Sequence, residues 1–430
     1  MDRRCRSRPW HRLPVALPVI DRASKPAMAQ SSGPLSGLHI VDISTYVAGP
    51  SATMTLAQLG ANVVRVDPPG GATDTKRLPL STDGRSLYWA GLNKCKRSLS
   101  VDTRNVRGQR LVQDLITRPG PGRGIVVTNA LAFDWLSYES LRSIRPDVIH
   151  VQILGRSDGS PAVDYTINPE VGLPWLTGPA NSATPVNHVL PAWDLIAGQH
   201  AALSVLVAER TRALTGEGQS ITVSLADIAA SIMGHLGFIA DVALNGSERL
   251  RDGNHLFGSF GCDFPTSDDK RVMVVALTAR HWRSLVDLTG TQAVVEVLQK
   301  ALGVDFSLEE DRYQHRSLLT ALLAPWFLRQ PRESVARALD ASHVLWGDYR
   351  TVNEMVNAPD GLVAKSAVFQ LVDQPGIGTY PVPGPVAQST AWRPGPLQPA
   401  PYIGQHTDEV LEEWLAVDEV DDLRSARVIT

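Results

Sequence analysis

Cysteine is nearly missing from this sequence. Three thiols, Cys5, Cys95 and Cys262, are spread over 430 residues, and no two form a CxxC pair. The usual zinc-site and thioredoxin-like spacings are therefore excluded. An odd, sparse count suits a reducing compartment such as the cytoplasm. Long apolar runs are missing too. A membrane span needs roughly 18 apolar residues in a row. Residues 225–244 come nearest, and Asp227, His235 and Asp241 interrupt them. Charge of one sign is also lacking, for the formal net charge is −3. No overall field draws in nucleic acid or an anionic membrane, so an anionic ligand has to be held by local groups. The eleven histidines show no metal-ligand spacing, and neither a Walker A sequence nor HExxH occurs. We expect no metal centre.

What is present is an ordinary globular composition, 43% hydrophobic and 20% charged. The chain is longer than one core usually serves, so two domains are expected. The N-terminal stretch stands apart. Arg3, Arg4, Arg6, Arg8 and Arg12 precede a thin apolar patch, Leu13 to Ile20, broken by Pro14 and Pro18. The order is that of a signal peptide, but the patch is too thin and too broken. Residues 1–33 read as a disordered extension or a start called too early, with Met28 as the authentic start.

From Pro34 onward strands and helices alternate. Leu38–Ser44 reads as a buried strand. Gly49-Pro50 opens a helix, Gly60 ends it, and Asn62–Asp67 is the next strand. That is one β-α-β unit with a right-handed crossover. The pattern repeats with strands at Arg97–Asp102, Gly124–Thr128 and Val148–Gly155, and helices at Val106–Ile116 and Tyr138–Ile144. A long helix at Ala197–Ala213 leads through Gly216 and Gly218 to a strand at Ser220–Ser224. The fold class is α/β, built on an open sheet. The character changes after residue 225: a mostly helical passage, a glycine-rich loop, a strand at Arg271–Leu277, then helices to about 340. Residues 34–225 with 331–430 form the large domain and 226–330 the small one. The Pro- and Gly-rich stretch from 359 to 404 reads as a surface-crossing segment before a helix at Thr407–Leu415.

Two motifs mislead. Gly155-Arg-Ser157-Asp-Gly159 matches the G-x-S-x-G of serine hydrolases and follows a strand, but that elbow must run straight into a helix. Here Asp158-Gly159 is a turn signal and Pro161 follows. Gly120-Pro-Gly-Arg-Gly124 looks like a phosphate loop but precedes a strand, the reverse of a dinucleotide fingerprint.

Four segments stand in a telling order: Leu35–Ile43 with Ala48–Gly70, Leu92–Leu99, Thr215-Gly-Glu-Gly-Gln219, and Gly404-Gln-His-Thr-Asp-Glu-Val-Leu411. Together they resemble the class III CoA-transferases, the family of formyl-CoA transferase and α-methylacyl-CoA racemase, from residue 35 to the C-terminus. The resemblance implies a Rossmann-like large domain with an open parallel sheet, a smaller α+β domain and an interlocked homodimer. It implies coenzyme A as part of an acyl-CoA substrate, with no tightly bound cofactor. It also assigns a nucleophile. The family's aspartate precedes the helix leading to the Gly-Gln turn, which here is Asp194. Attack by that carboxylate on a thioester would give an anhydride and then an aspartyl-CoA thioester. From the residues alone, Asp194 equally reads as a helix cap.

The same resemblance suggests a glycine loop for developing oxyanions. Gly258-Ser-Phe-Gly261 fits, as does an ordinary hairpin turn. It places Tyr46, Val47 and Ala48, Val101 to Arg104, and the Asn129 neighbourhood at the CoA site. Lys96 and Arg97, in the densest basic cluster, join that site or form a solvated face. Pro68 stands where formyl-CoA transferase has an arginine. Racemases place a histidine directly before a family acid that here is Asp164; this chain has Val163 there, so a proton handler is lacking. Asp164 reads either as a carboxylate supporting the site or as a strand-end residue.

Five further stretches, among them Asp74-Thr-Lys-Arg77, Val163–Pro169 and Val186–Asp194, resemble one subgroup. Its members move CoA between the two carboxyls of one branched unsaturated diacid, 2-methylfumaryl-CoA to 3-methylfumaryl-CoA. Alternatives are an intermolecular transferase between dicarboxylates such as succinyl-CoA and a second diacid, a serine hydrolase using Ser157, and a non-catalytic acyl-CoA-binding protein.

Overall fold

A computed structural model of the protein describes residues 33–130 and 133–430. The reading of the N-terminal extension therefore lies outside the described residues, save for Gly33. The chain alternates as its apolar runs predict. β1 (His39–Ile43) leads to α1 (Ala48–Gln58), β2 (Asn62–Asp67), α2 (Leu87–Leu92), β3 (Arg97–Ser100), α3 (Val106–Thr117), β4 (Ile125–Thr128), α4 (Tyr138–Ile144) and β5 (Ile149–Leu154). Two short helices, α5 (Asp164–Ile167) and α6 (Leu173–Leu176), precede the long α7 (Ala192–Thr215), β6 (Gln219–Ser224), α8 (Leu225–His235) and α9 (Phe238–Ala240). Then come β7 (Phe260–Pro265), β8 (Arg271–Ala276), α10 (Ala279–Thr289), α11 (Gln292–Leu302), α12 (Glu309–Gln314), α13 (Arg316–Leu328), α14 (Arg332–Ala341) and β9 (Leu345–Asp348). The chain closes with α15 (Val352–Asn357), α16 (Leu362–Lys365), β10 (Phe369–Gln374), β11 (Gly378–Pro383), α17 (Thr407–Glu412) and α18 (Val417–Ser425).

Two compact units result. One holds residues up to Ala162, Ala192–Ile228 and Ser366–Thr430; the other holds Val163–Pro191 and Ala229–Lys365. This corrects the sequence reading, which left 163–191 and 331–365 with the larger domain. The reason for the second segment is β9. It pairs antiparallel with β8, Val272 opposite Asp348, and so completes the smaller unit's sheet. The reason for the first is Arg251, which donates to the carbonyls of Trp175 (3.0 Å), Ser182 (2.9 Å) and Pro174 (3.2 Å).

The larger unit is a parallel sheet of order β3-β2-β1-β4-β5-β6. Strands β1 to β5 are buried along most of their length, as parallel strands are, while the edge strand β6 is buried only at Val223 and Ser224. Sheet residues Val41, Val64, Val66 and Leu99 pack with Leu111, Val112, Leu115 and Ile116 of α3 into one core. Local signals set the helix starts: Ser86 accepts from the Trp89 amide (3.0 Å), and Asn105 and Ser137 cap α3 and α4. β3 is an edge strand, and a splint covers it. The Gly404 amide donates to Ser98 Oγ (3.0 Å), the His406 amide to Ser98 O (3.0 Å) and the Ser100 amide to Thr407 Oγ1 (3.2 Å). Val101 continues the cover by bridging to Ile429.

The smaller unit packs the antiparallel sheet β7-β8-β9 against helices. Phe264 stacks on Phe327 with centroids 4.1 Å apart, within a core that includes Val272, Trp282, Phe306 and Leu323. Residues 225–244, the most apolar stretch, are helices bent by 70° at a break, and no single helix among the described residues is long and apolar enough to cross a membrane.

Candidate active site

In an open parallel sheet, ligands bind at the carboxyl ends of the strands, where the strand order reverses. In the larger unit that point lies between β1 and β4. A two-bond clasp spans it. Asn129 Oδ1 accepts from the Thr45 amide (3.0 Å), and Asn129 Nδ2 donates to Thr45 O (3.0 Å). The next residue, Tyr46, adopts φ +67, a left-handed conformation that costs a non-glycine residue about 1–3 kcal/mol. What holds it is Asp74, whose Oδ2 accepts from the Tyr46 amide (3.0 Å) while the side chain is buried. The Tyr46 ring stays half exposed, Thr73 Oγ1 donates to its hydroxyl (3.2 Å), and Arg77 lies over the rings of Tyr46 and Tyr88 (5.7 and 4.9 Å).

Beneath this loop runs a buried network of charges. Lys96 Nζ donates to Asp42 Oδ2 (2.9 Å), to Asn93 Oδ1 (2.8 Å) and to Pro50 O in the first turn of α1 (2.9 Å). Arg65 donates to both oxygens of Asp67 (2.9 and 3.0 Å), to Asn93 Oδ1 (3.1 Å) and to Asp74 Oδ2 (3.2 Å). Ser44 and Thr53 donate to Asp42 as well. Burial alone would raise the Asp42 pKa; the Lys96 and Arg65 charges and the two hydroxyls outweigh it, and the carboxyl is held below its usual range. Burial pulls Lys96 down to about 8. A continuous set of polar contacts thus runs from the sheet core to the Tyr46 amide.

Asp194 is the third residue of α7, in its first turn. It does not occupy the cap position, which precedes Ala192, so the simple capping reading falls away. A carboxylate in a first turn is favoured by the helix dipole. One turn later, on the same face, Gly198 lets α7 approach α1. A Cβ there would lie 2.1 Å from Ser51 Oγ and 2.8 Å from Ala48 O. Gly198 therefore fixes the turn that carries Asp194 against the start of α1, the helix that the Tyr46 loop opens.

The smaller unit, taken by itself, has two features among the expected residues. Asp164, fully buried at the start of α5, has His188 Nε2 at 4.0 Å from Oδ1. Asn168 Nδ2 donates to Asn187 Oδ1 (2.6 Å) and Tyr165 OH to Val189 O (3.1 Å), so α5 holds residues 187–189 side by side. The sequence put Val163 where racemases carry a histidine; the fold brings a different histidine to the same acid. Nothing in residue spacing could have shown this, because the partner stands far along an irregular segment. The glycine loop divides. Gly258 lies in a turn at φ +76, whereas Gly261 belongs to β7 opposite Val275, with its carbonyl taken by the Leu256 amide (2.8 Å).

Of the residues expected at the CoA site, Tyr46 and Asn129 meet at the switch point. Val47 and Ala48 are buried where α1 begins. Arg104 is 87% exposed beyond the end of β3, paired with Asp102 (2.8 Å). Three expectations need correction. Lys96 is neither a ligand contact nor a solvated charge, since it is fully buried in the network. Arg97 reaches Asn62, the first residue of β2 (3.1 Å), and Glu409 (3.2 Å), away from the strands' carboxyl ends. Val101 is wholly buried core. Ser157 sits in an exposed turn with no helix starting until Asp164, so the hydrolase elbow is not formed.

The sequence profile of CoA-transferase family III matches residues 35–407. The chain belongs to this family. It is similar to the 2-methylfumaryl-CoA isomerase of Chloroflexus aurantiacus, 47% identical over 390 residues that cover 90% of this chain and 95% of the relative. More distant family III relatives include a succinyl-CoA:glutarate CoA-transferase of Homo sapiens, at 24% identity over 92% of this chain and 90% of that one. A succinyl-CoA–D-citramalate CoA-transferase of Chloroflexus aurantiacus is 26% identical over 92% and 98%. The fold matches the crystal structure of a CAIB/BAIF family protein from Brucella suis, with TM-score 0.73, 24% identity, and coverage of 89% of this chain and 99% of that one. Two of the segments on which the sequence resemblance rests are structural. Gly404–Thr407 is the splint on β3, and Gly218 lies where a Cβ would meet Val148 O at 2.2 Å.

Proposed function

We propose that this protein converts 2-methylfumaryl-CoA into 3-methylfumaryl-CoA by moving CoA between the two carboxyls of one diacid, with Asp194 as nucleophile. The observation that carries the reading is 47% identity, over nearly the whole of both chains, to a relative named for that substrate.

The chemistry needs one carboxylate and no external acid. Asp194 attacks the thioester carbonyl, the C–S bond breaks, CoA leaves as thiolate, and the acyl group remains on Asp194 as a mixed anhydride. The thiolate attacks the aspartyl carbonyl and frees the diacid, leaving an aspartyl-CoA thioester. The diacid's other carboxylate attacks that thioester and again expels the thiolate. The thiolate then attacks the diacid's carbonyl and restores the Asp194 carboxylate. Donor and acceptor are one molecule, and an acceptor held in place has a high effective concentration. Tyr46, Val47, Ala48, Asn129 and Arg104 are the proposed contacts for the CoA portion. The reading also takes the protein as a cytoplasmic homodimer, on the family resemblance and the sparse cysteines.

The test is incubation with 2-methylfumaryl-CoA alone, without free acid, following 3-methylfumaryl-CoA by chromatography. Product from the wild type and none from Asp194→Ala is expected. CoA exchange that appears only when a second dicarboxylate is added would move the function to intermolecular transfer, as the names of the more distant relatives suggest. Equal activity in Asp194→Ala would falsify the assignment of the nucleophile.

A further inference from the structure

The larger unit holds a second constellation of polar groups, at the end of its sheet opposite the switch point. His39, Asn62 and Arg97 are the first residues of β1, β2 and β3, and Gly124 directly precedes β4. Together with Arg123 and Glu413 they line a cavity of about 20 Å³. Arg123 arrives there on the Gly120–Gly124 turn, which has no part in the steps above.

Hydrogen bonds settle which groups donate. Arg97 Nε donates to Asn62 Oδ1 (3.1 Å), so it is the amide nitrogen of Asn62 that lies 3.2 Å from His39 Nδ1. An amide nitrogen and a guanidinium only donate. His39 Nδ1 therefore accepts, and the proton of the neutral ring sits on Nε2. Burial, reinforced by the Arg123 charge, pulls the His39 pKa down to about 4, so the ring is neutral at pH 7. Among the described residues, nothing accepts a hydrogen bond from Nε2.

Charge is unbalanced at the same place. Glu413 is shared: its Oε1 takes Arg97 (2.5 Å) and its Oε2 takes Arg118 (3.3 Å), while Arg97 also reaches Glu409 (3.2 Å). Arg123 feels the Glu413 charge from beyond ion-pairing distance, and its side chain has no hydrogen bond among the described residues. Burial works against the Arg123 charge, and so do Arg118, Arg97 and Arg145. Three guanidiniums, those of Arg97, Arg118 and Arg123, are thus left with two carboxylates. A water in the cavity would meet the donors and leave the charge uncompensated; an anion meets both. A volume of about 20 Å³ takes one particle near the size of a water. That is too small for a phosphoryl group or a carboxylate with its carbon body.

We propose that this cavity binds one monatomic anion of the halide class, chloride under ordinary conditions, between the Arg123 guanidinium and the His39 Nε2–H. The site is separate from the CoA reading and acts on the stability of the larger unit. The test uses bromide as the probe on the full chain. Unfolding by urea is followed against bromide concentration, with ionic strength held constant by gluconate, an anion too large for the cavity. We expect wild-type stability to rise with the logarithmic form of single-site binding. Arg123→Gln should weaken bromide on the order of 10–100-fold, the range of a charged hydrogen bond, and Arg123→Lys should keep part of the affinity. Glu413→Gln, which removes the competing negative charge, should tighten it. Arg104→Gln, at the other end of the sheet, should leave it unchanged. Crystals grown in bromide should show an anomalous peak between Arg123 and His39. No logarithmic dependence in the wild type, equal losses in Arg123→Gln and Arg104→Gln, or anomalous peaks only elsewhere would each overturn the proposal.

Discussion

Lys96 Nζ lies 2.9 Å from Asp42 Oδ2, and neither side chain is exposed to solvent. Two buried charges are tolerable because hydroxyls, Asn93 and a carbonyl of α1 complete their hydrogen bonds. Removing one partner strands the other. Lys96→Met or Asp42→Asn should each cost about 3–5 kcal/mol of unfolding free energy. The double variant should cost clearly less than the sum, a coupling that urea denaturation of all four proteins measures.

Gly198 gives a second test. Any side chain there meets Ser51 Oγ and Ala48 O at once. Gly198→Ala should cost about 1–3 kcal/mol, the usual range for overpacking. It should also slow turnover, because it shifts the turn that carries Asp194. Adding Ser51→Ala should recover part of the loss only, since the Ala48 carbonyl belongs to the backbone.

The Tyr46 backbone makes a third. At φ +67 a glycine is unstrained and an alanine is not. Tyr46→Gly should therefore be more stable than Tyr46→Ala by about 1 kcal/mol. Both should raise KM for the acyl-CoA. Equal stability of the two would mean that the loop relaxes out of this conformation.

Acid lability should trace in part to His39. Burial, reinforced by the nearby Arg123 charge, pulls its pKa from 6.5 down to about 4. Between those values the unfolded chain binds a proton that the folded chain does not. Stability is therefore full above pH 6.5 and declines as pH falls towards 4. His39→Asn should flatten that decline, seen as a smaller shift of the urea midpoint between pH 7 and pH 4.5 than in wild type.

The parallel sheet was largely legible. Asn62–Asp67 and Tyr138–Ile144 match residue for residue, and the remaining boundaries of that sheet shift by one or two positions, because apolar runs bounded by glycine and proline are strong local signals. Asp194 as nucleophile is proposed from motif order alone, and the fold adds only its place in the first turn of α7. The rest depended on partners remote in the chain. β7 was read as loop because Gly261 and Pro265 depress strand propensity, and β8 beside it overrides that. The β10–β11 hairpin was hidden by Pro381 and Pro383. Lys96 looked like part of a basic run with Lys94 and Arg97, yet all three are buried, each against different carbonyls or carboxylates. Adjacency in sequence says nothing about which acid waits inside.

The splint on β3 has a consequence for how the protein is made. The Thr407 hydroxyl that covers the Ser100 amide arrives 307 residues later. Until it does, the strand offers a bare row of donors and acceptors, a template on which a second unfinished chain can align. Contacts this distant in sequence also form slowly. Recovery of active protein from denaturant should therefore fall as protein concentration rises, with loss to aggregates that light scattering detects.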